Sequence, residues 1–518
     1  MRFLLALLAL AAGPAAARPV ISEPVAAVEG GRLAGAMTPD GQVRRFLGVP
    51  FAAPPLGPLR WRAPQPAPRW AGVRSATAFG PRCMQQPLFA DMIFRSPAAS
   101  EDCLYLNIWA PAAPGRGRPV LVYVYGGGFV AGDASELRYD GASMARRGIV
   151  TVTFNYRLGV FGFLAHPGLT GESPNHASGD YGLLDQVAAL DWVRRNIAAF
   201  GGDPARITVA GESAGSMSVS ALMASPLTRG RFARAIGESG AVMGPTLAPP
   251  NLAEAEAAGT ALAQSLGAPT PAALRAVPAE RLLEAQAPGM RFGPVIDGYA
   301  LTEDPTTTFA AGRQARIPLL LGTNSQEAPA EALLGGQPAT VAGYRAALAR
   351  VFGPDAAAVE RLYPAAADAD VPRAATALAS DRFLAHATWR WFDLHRRSGA
   401  PTFLYLFTRV RPPVLGETAP PPLGATHSSE IEYALGNLYA NPRYPWTPED
   451  HQVSAAMQGF FTRFIATGDP NGPGLPAWPR APAGDAPVAR ERIDVASGAQ
   501  PFPEQARYQA MTPLLRGR

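Results

Sequence analysis

Residues 207–215 of the 518-residue chain read ITVAGESAG. The first four are mostly apolar and strand-like, and residues 216–224 continue in a helical pattern, so the stretch predicts a strand, a tight turn and a helix. Glycines at 211 and 215 allow the two elements to approach, and such a turn exposes the hydroxyl of Ser213 beyond the strand. Gly-x-Ser-x-Gly alone is weak evidence in a glycine-rich chain, but this setting predicts that Ser213 is a nucleophile.

Further apolar segments extend the prediction from one strand to a sheet. They are continuous rather than alternating, which is typical of strands covered on both faces. These segments are residues 120–125, 149–154, 207–210, 317–321 and 403–407. Apolar residues from Leu183 to Ile197 form a helical stripe that ends at the Gly-Gly-Asp-Pro of 201–204. We therefore predict an α/β fold with a large, mostly parallel central sheet flanked by helices.

Two long stretches are predicted to be insertions on this sheet. Residues 252–286 are alanine-rich and helical in pattern, and residues 344–397 are largely helical as well. The proline-rich segment 412–422 is predicted to be a loop. Because no internal repeat is visible, we expect a single domain over residues 18–518.

A nucleophilic serine needs a histidine base, and on a turn of this kind the acid and then the histidine follow the serine along the chain. Four of the six histidines come after Ser213, namely His386, His395, His427 and His451. His386 and His395 fall in a helical pattern, where a solvated or core-edge position is expected, and His451 falls in a polar stretch. His427 lies in a loop, where catalytic groups are common, and is the predicted base.

The predicted acid is Glu327. It follows the strand-like segment 317–321 after five further residues, just past the carboxyl end of a predicted strand. Open α/β sheets gather their functional groups at that end. Glu303 and Asp297 satisfy the same chain order, but neither has this position.

Acyl transfer also needs backbone N–H donors for the negative charge that develops on the attacked carbonyl. Gly126, Gly127 and Gly128 follow the predicted strand 120–125 directly, and glycines let a backbone turn its N–H groups toward a ligand. The residue after the nucleophile, Ala214, supplies a further N–H. This chemistry requires no cofactor.

The charge of the chain argues against a nucleic-acid partner. The formal net charge is +5 and the pI about 9.3, yet the chain has no lysine and its arginines are scattered. Nucleic-acid binding needs clustered positive charge, so a small-molecule substrate is the expected partner.

The first seventeen residues have the pattern of a cleavable export signal. Arg2 precedes an apolar run, and Ala15 and Ala17 provide small residues for a signal peptidase, while the run is too short for a membrane anchor. We therefore expect a periplasmic or secreted mature chain that begins near Arg18.

In an oxidising compartment Cys83 and Cys103 are expected to form a disulfide, and two free thiols are the alternative. A metal site is not expected, because neither cysteine has a histidine at metal-ligand spacing.

Several ordered motifs resemble the type-B carboxylesterase family, which includes carboxylesterases, cholinesterases and some fungal lipases. The resemblance runs from about Gly31 to Pro479. The motifs are FLGVPFA at 46–52, EDCLYLN at 101–107, NYR at 155–157, GLLDQ at 182–186, FGGDP at 200–204, PVIDG at 294–298 and TGDPN at 467–471.

The resemblance implies an α/β-hydrolase fold in which helical insertions form the active-site gorge. It implies a triad of Ser213, Glu327 and His427, and oxyanion donors at Gly127, Gly128 and Ala214. It implies a disulfide between Cys83 and Cys103, with an ion pair between Arg60 and Glu101 beside it. It also implies that Ser239 and Glu430 support the triad.

The chain departs from cholinesterases in the loop between its cysteines. Cholinesterases bind choline there with a tryptophan, because an aromatic face attracts a quaternary ammonium. Residues 84–102 contain Phe89 and Phe94 but no tryptophan, which favours neutral or anionic esters and an exported carboxylesterase rather than a cholinesterase.

The competing hypotheses are a catalytically inactive binding or adhesion protein and, among enzymes, a lipase, a polyester or toxin-ester hydrolase, or an enzyme that also cleaves amides or carbamates. The sequence does not indicate an oligomeric state.

Overall fold

A computed structural model of the chain describes residues 23–244, 248–286, 292–418 and 421–515. The predicted export signal, residues 1–17, lies outside the described residues. Within the described ranges, no helix combines the length and the apolar character that a membrane span requires.

Sixteen strands lie in the described part of the chain, and eleven of them form one mixed sheet in the order β16-β15-β14-β13-β12-β11-β9-β10-β8-β4-β3. The strands are β1 (Val25–Val28), β2 (Gly31–Ala34), β3 (Ala36–Met37), β4 (Val43–Pro50), β5 (Val73–Ser75), β6 (Arg82–Cys83), β7 (Ala99–Ser100), β8 (Tyr105–Pro111), β9 (Arg118–Val124), β10 (Val150–Phe154), β11 (Gly202–Glu212), β12 (Arg234–Glu238), β13 (Leu319–Asn324), β14 (Thr402–Phe407), β15 (Ala489–Ile493) and β16 (Gly498–Pro501).

The middle of the large sheet is parallel from β15 across to β10, and the strands at both edges are antiparallel. Its central side chains, such as Val122, Val209 and Leu320, are fully buried because helices cover both faces. The predicted mostly parallel sheet is confirmed, and the five predicted segments lie in β9, β10, β11, β13 and β14.

Helices cover this sheet and build the insertions. They are α1 (Ala142–Arg146), α2 (Gly159–Phe163), α3 (Pro167–Glu172), α4 (Tyr181–Asn196), α5 (Ala214–Ala224), α6 (Leu252–Ser265), α7 (Pro271–Ala276), α8 (Ala279–Glu284), α9 (Pro305–Ala310), α10 (Glu331–Leu334), α11 (Val341–Phe352), α12 (Ala356–Leu362), α13 (Val371–Ser380), α14 (His386–Arg397), α15 (Ile431–Leu435), α16 (Pro448–Thr467) and α17 (Glu504–Leu514). A π-helical turn, Asp381–Ala385, joins α13 to α14.

The two predicted helical insertions correspond to α6–α8 and to α11–α14. The second insertion has an apolar cluster of its own, in which Tyr344, Phe352 and Leu378 are buried together with Met511 near the end of the chain. Helices α11–α13 therefore pack around a cluster separate from the main core, whereas α14 buries Trp391 and Phe392 in the main core against the sheet.

The strand order creates the crevice in which the site lies. From β9 the chain crosses to β10 on one side, and it then returns to form β11 on the other side of β9. Such a reversal opens a crevice at the carboxyl ends of the two diverging strands. Gly126 follows β9 and Ser213 follows β11, so both lie at this crevice.

Candidate active site

Ser213 lies on the sharp turn between β11 and α5. Its backbone has φ +57° and ψ −122°, a region that a serine rarely occupies. The Ser213 N–H donates to the Glu238 carbonyl at 2.8 Å and holds the turn. Glycine is required at position 215, because a Cβ there would lie 2.0 Å from the Val124 carbonyl oxygen. The turn therefore presents the Ser213 hydroxyl at the end of the sheet.

His427 joins Ser213 to Glu327. Its Nε2 lies 3.0 Å from Ser213 Oγ, and its Nδ1 lies 2.8 Å from Glu327 Oε2. Both distances are those of hydrogen bonds. When the neutral imidazole carries its proton on Nδ1, that N–H donates a hydrogen bond to Glu327, and Nε2 is left free to accept the hydroxyl proton of Ser213.

Glu327 is buried three residues after β13, and its second oxygen is also bonded. Oε1 accepts hydrogen bonds from the Ser239 hydroxyl and the Asn324 N–H, both at 2.6 Å. Glu430 does not bond to Glu327 but accepts from the Asn324 side-chain amide at 2.6 Å. Burial, and then the charges of Glu212 and Glu327, raise the pKa of Glu430 to about 8. Ser239 therefore contacts the acid directly, whereas Glu430 acts one bond further away.

The loop that carries His427 is held by the residues next to Glu327. The Gln326 N–H donates to the Ala425 carbonyl at 2.8 Å, and the Ala425 N–H donates to Ser325 Oγ at 2.9 Å. The residues just before Glu327 thus hold the backbone just before His427, and these bonds help to set the distance between the two side chains.

In the described part of the chain, no protein acceptor is found for the backbone N–H groups of Gly127, Gly128 and Ala214, which lie in the turn after β9 and at the start of α5. Ala214 begins α5, and the first N–H groups of a helix attract negative charge. Gly127 has φ +114°, and a Cβ on it would lie 2.2 Å from the Ala131 carbonyl oxygen. Only glycine therefore fits position 127 without a clash.

Comparison with known proteins identifies the group to which this site belongs. A family model described as the carboxylesterase family matches residues 19–346 and 355–508. The chain belongs to the carboxylesterase family. The resemblance seen in the sequence is thereby confirmed, and the chain is a serine carboxylic-ester hydrolase.

Individual relatives cover most of this carboxylesterase. Fumonisin B1 esterase of Sphingopyxis macrogoltabida is 40% identical over 470 residues, which is 85% of this chain and 82% of the relative. Para-nitrobenzyl esterase of Bacillus subtilis is 36% identical over 456 residues, or 84% of this chain and 88% of the relative. The crystal structure of the Geobacillus stearothermophilus carboxylesterase EST55 at pH 6.2 superposes with a TM-score of 0.81 at 34% identity, covering 94% of this chain and 99% of that one.

A second buried carboxylate in this carboxylesterase, which was not among the predicted site residues, lies close to the histidine. Glu212 Oε1 lies 3.3 Å from His427 Nε2 and accepts the Ser428 hydroxyl at 2.7 Å. Burial lowers the pKa of His427, but the nearby charges of Glu212 and Glu327 outweigh it and raise that pKa to about 9. The position of Glu212 directly before Ser213 is a sequence signal that could have marked it.

The competing candidates from the sequence lie elsewhere. Glu303 pairs with Arg313 near the surface at 2.6 Å, and Asp297 Oδ1 accepts three backbone N–H groups from residues 299–301. The prediction that His386 and His395 are solvated or at the edge of the core is wrong: they are 1% and 0% exposed within α14. His395 Nε2 bonds to the Ile317 carbonyl at 2.9 Å, which satisfies it away from Ser213.

The loop between the cysteines lies beside the crevice. Cys83 and Cys103 form a disulfide. Arg60 Nε donates to Glu101 Oε2 at 2.7 Å, two residues from Cys103, and Arg60 also donates to the Val277 carbonyl at 2.7 Å. Among the described residues, no group of three or more His, Cys, Asp or Glu side chains is arranged to hold a metal ion.

Proposed function

We propose that Ser213, His427 and Glu327 act as a catalytic triad that hydrolyses carboxylic esters. The observation that carries the proposal is the continuous pair of hydrogen bonds, 3.0 Å from Ser213 to His427 and 2.8 Å from His427 to Glu327. In our mechanism Ser213 Oγ attacks the ester carbonyl while His427 Nε2 takes its proton. The histidine then gives that proton to the departing alcohol, and water releases the acid from the acyl-enzyme by the same route.

We propose that the N–H groups of Gly127, Gly128 and Ala214 bind the oxyanion of the tetrahedral intermediate. They are fixed before the reaction, so they favour the developing charge at no cost of reorganisation. Glu327 orients the imidazole through Oε2 and stabilises its charged form, while Ser239 and Asn324 hold its other oxygen, Oε1, in the hydrogen bonds described above.

Covalent labelling tests the triad. A fluorophosphonate is expected to modify one serine per chain, located at Ser213 by peptide mass spectrometry, because only an activated hydroxyl attacks phosphorus rapidly. The same modification is expected to abolish the hydrolysis of 4-nitrophenyl acetate in proportion to labelling. A folded protein that hydrolyses this ester but is labelled at another serine would contradict the proposal.

We expect neutral and anionic esters to be better substrates than choline esters. The disulfide loop offers phenylalanine but no tryptophan to a quaternary ammonium, and phenylalanine binds cations more weakly. Comparing kcat/KM for acetylcholine with that for its uncharged 3,3-dimethylbutyl analogue measures this preference directly. A higher kcat/KM for acetylcholine would contradict it.

The pH dependence should depend on Glu212. Because His427 must be neutral to accept the serine proton, and carboxylates raise its pKa, kcat/KM is expected to rise with pH through a midpoint above 6.5. Glu212→Gln removes one of those charges and is expected to move the midpoint to lower pH, which a pH profile with 4-nitrophenyl acetate measures. The exposed Glu280→Gln is the matched control. An unchanged midpoint in Glu212→Gln would contradict the assignment.

We also propose that the protein is exported and that its mature chain is a single domain beginning near Arg18. Support comes from the apolar segment that precedes Ala15 and Ala17 and from the disulfide, since disulfides persist in oxidising compartments. N-terminal sequencing of the mature protein checks this, and retention of the first seventeen residues would refute it.

A further inference from the structure

The disulfide loop, residues 84–102, packs against the turn that carries two of the proposed oxyanion donors. This oxyanion turn, residues 126–132, is closed by the Gly127 carbonyl, which accepts from the N–H groups of Val130 at 3.1 Å and Ala131 at 3.0 Å. A Cβ built on Gly127 would lie 3.2 Å from the methyl carbon of Met92. The loop and the turn are therefore in direct contact next to the donors.

Gln85 makes the most specific connection between them. Its Nε2 donates to the Gly132 carbonyl at 2.7 Å, and its Oε1 accepts the Gly132 N–H at 2.9 Å. The same Nε2 donates to the Cys83 carbonyl at 3.0 Å. A primary amide is the one neutral side chain that offers a donor and an acceptor side by side, so it satisfies both backbone groups of Gly132 at once.

A second set of bonds holds the far part of the loop. The Ser96 hydroxyl donates to the buried carboxylate of Asp133. The N–H groups of Arg95 and Ser96 donate to Ser135 Oγ at 3.0 and 2.9 Å. Together with the disulfide that closes the loop, these bonds anchor the loop on both sides of Gln85.

We propose that Gln85 is a positioning residue for ester hydrolysis, which holds the oxyanion turn so that the N–H groups of Gly127 and Gly128 converge on the oxyanion. This inference rests on the proposed function. Gln85 touches no reacting atom. Because the donors meet full negative charge only in the transition state, loosening the turn lowers kcat much more than it changes KM.

The test replaces the amide with an apolar side chain of similar length. Gln85→Met is expected to lower kcat for 4-nitrophenyl acetate about 10- to 100-fold, since small displacements of catalytic groups have effects of this size. KM should stay within about twofold, because the ester carbonyl in the ground state bears little charge. A trifluoromethyl ketone, which forms a tetrahedral adduct bearing an oxyanion, should bind more weakly by the same factor as kcat falls.

Gln86→Met is the matched control. Gln86 is the next residue in the same loop, but its amide donates to the Leu283 carbonyl at 2.9 Å, away from the oxyanion turn. Its kcat is expected to stay within about twofold of the wild type. If Gln85→Met does not fold, Gln85→Glu replaces it: this variant keeps an acceptor for Gly132 N–H but has no donor for the carbonyl, and its kcat should also fall.

The outcomes separate this inference from the proposed function. A folded Gln85→Met with wild-type kcat would overturn the positioning role, and so would a loss of kcat with unchanged affinity for the trifluoromethyl ketone. Failure of the proposed function would appear in the wild type itself, as absent ester hydrolysis or absent labelling at Ser213. Equal losses in Gln85→Met and Gln86→Met would also overturn the proposal, because they would reflect general disturbance of the loop.

Discussion

Ser213→Ala is expected to lower kcat for 4-nitrophenyl esters by about 10⁵- to 10⁶-fold, as removal of the nucleophile does in other serine hydrolases. The change deletes the attacking oxygen but leaves the three proposed oxyanion donors, which are expected to sustain a small residual rate. The fold should be preserved, because the hydroxyl bonds to His427 and the turn itself depends on the backbone bond from Ser213 N–H to Glu238. Initial rates and a circular-dichroism melt measure the two effects.

Ser265→Ala serves as the control for this substitution. Ser265 is exposed at the end of α6, and its hydroxyl donates to the Leu262 carbonyl within the same helix. Its kcat should match the wild type. If purified Ser213→Ala kept activity within about tenfold of the wild type, another residue would have to be the nucleophile.

The sequence predicts most of the parallel centre of the sheet, but not β12 or β15, because burial on both faces leaves continuous apolar runs, as in β9 and β13. The antiparallel edge strands lack that signature: β4 contains Arg44 and Arg45 side by side. β11 begins at Gly202, five residues before the predicted strand, and its register against β9 shifts between Gly202 and Ile207. A polar, irregular strand of this kind is specified by its neighbours, which the local sequence does not reveal.

The candidate site was likewise predicted from the sequence only in part. Chain order and strand ends were enough to select residues that the structure brings into contact, because turns and strand ends leave local signals. Glu212 was missed as a partner of His427, since that contact joins residues 215 positions apart and depends on burial. His386 and His395 were misjudged because a helical pattern does not show which positions of the helix are fully buried by distant parts of the chain.

Glu327→Gln is expected to lower kcat about 10⁴-fold, the size of effect seen when a triad acid becomes an amide elsewhere. Glu327 accepts hydrogen bonds on both oxygens, from His427 Nδ1 and from the Ser239 hydroxyl and Asn324 N–H. A glutamine must turn its NH₂ toward one of these sets. If it faces His427, it favours the imidazole protonated on Nε2, which cannot accept the serine proton; if it faces Asn324, it meets an N–H with another N–H. Rates with 4-nitrophenyl acetate, together with imidazole nitrogen chemical shifts by NMR, report the loss and the change of tautomer.

Glu303→Gln is the decisive control for that substitution, because Glu303 follows Ser213 and precedes His427 and so fits the same chain order. In the structure Glu303 pairs with Arg313 near the surface, so its replacement should leave kcat within about twofold and cost little stability. Loss of activity in Glu303→Gln but not in Glu327→Gln would show that Glu327 is not the acid of the triad. Loss of activity in Glu327→Gln alone ties catalysis to the carboxylate that follows β13. The imidazole nitrogen chemical shifts then show whether the proton has left Nδ1 of His427, which a general weakening of the site would not cause.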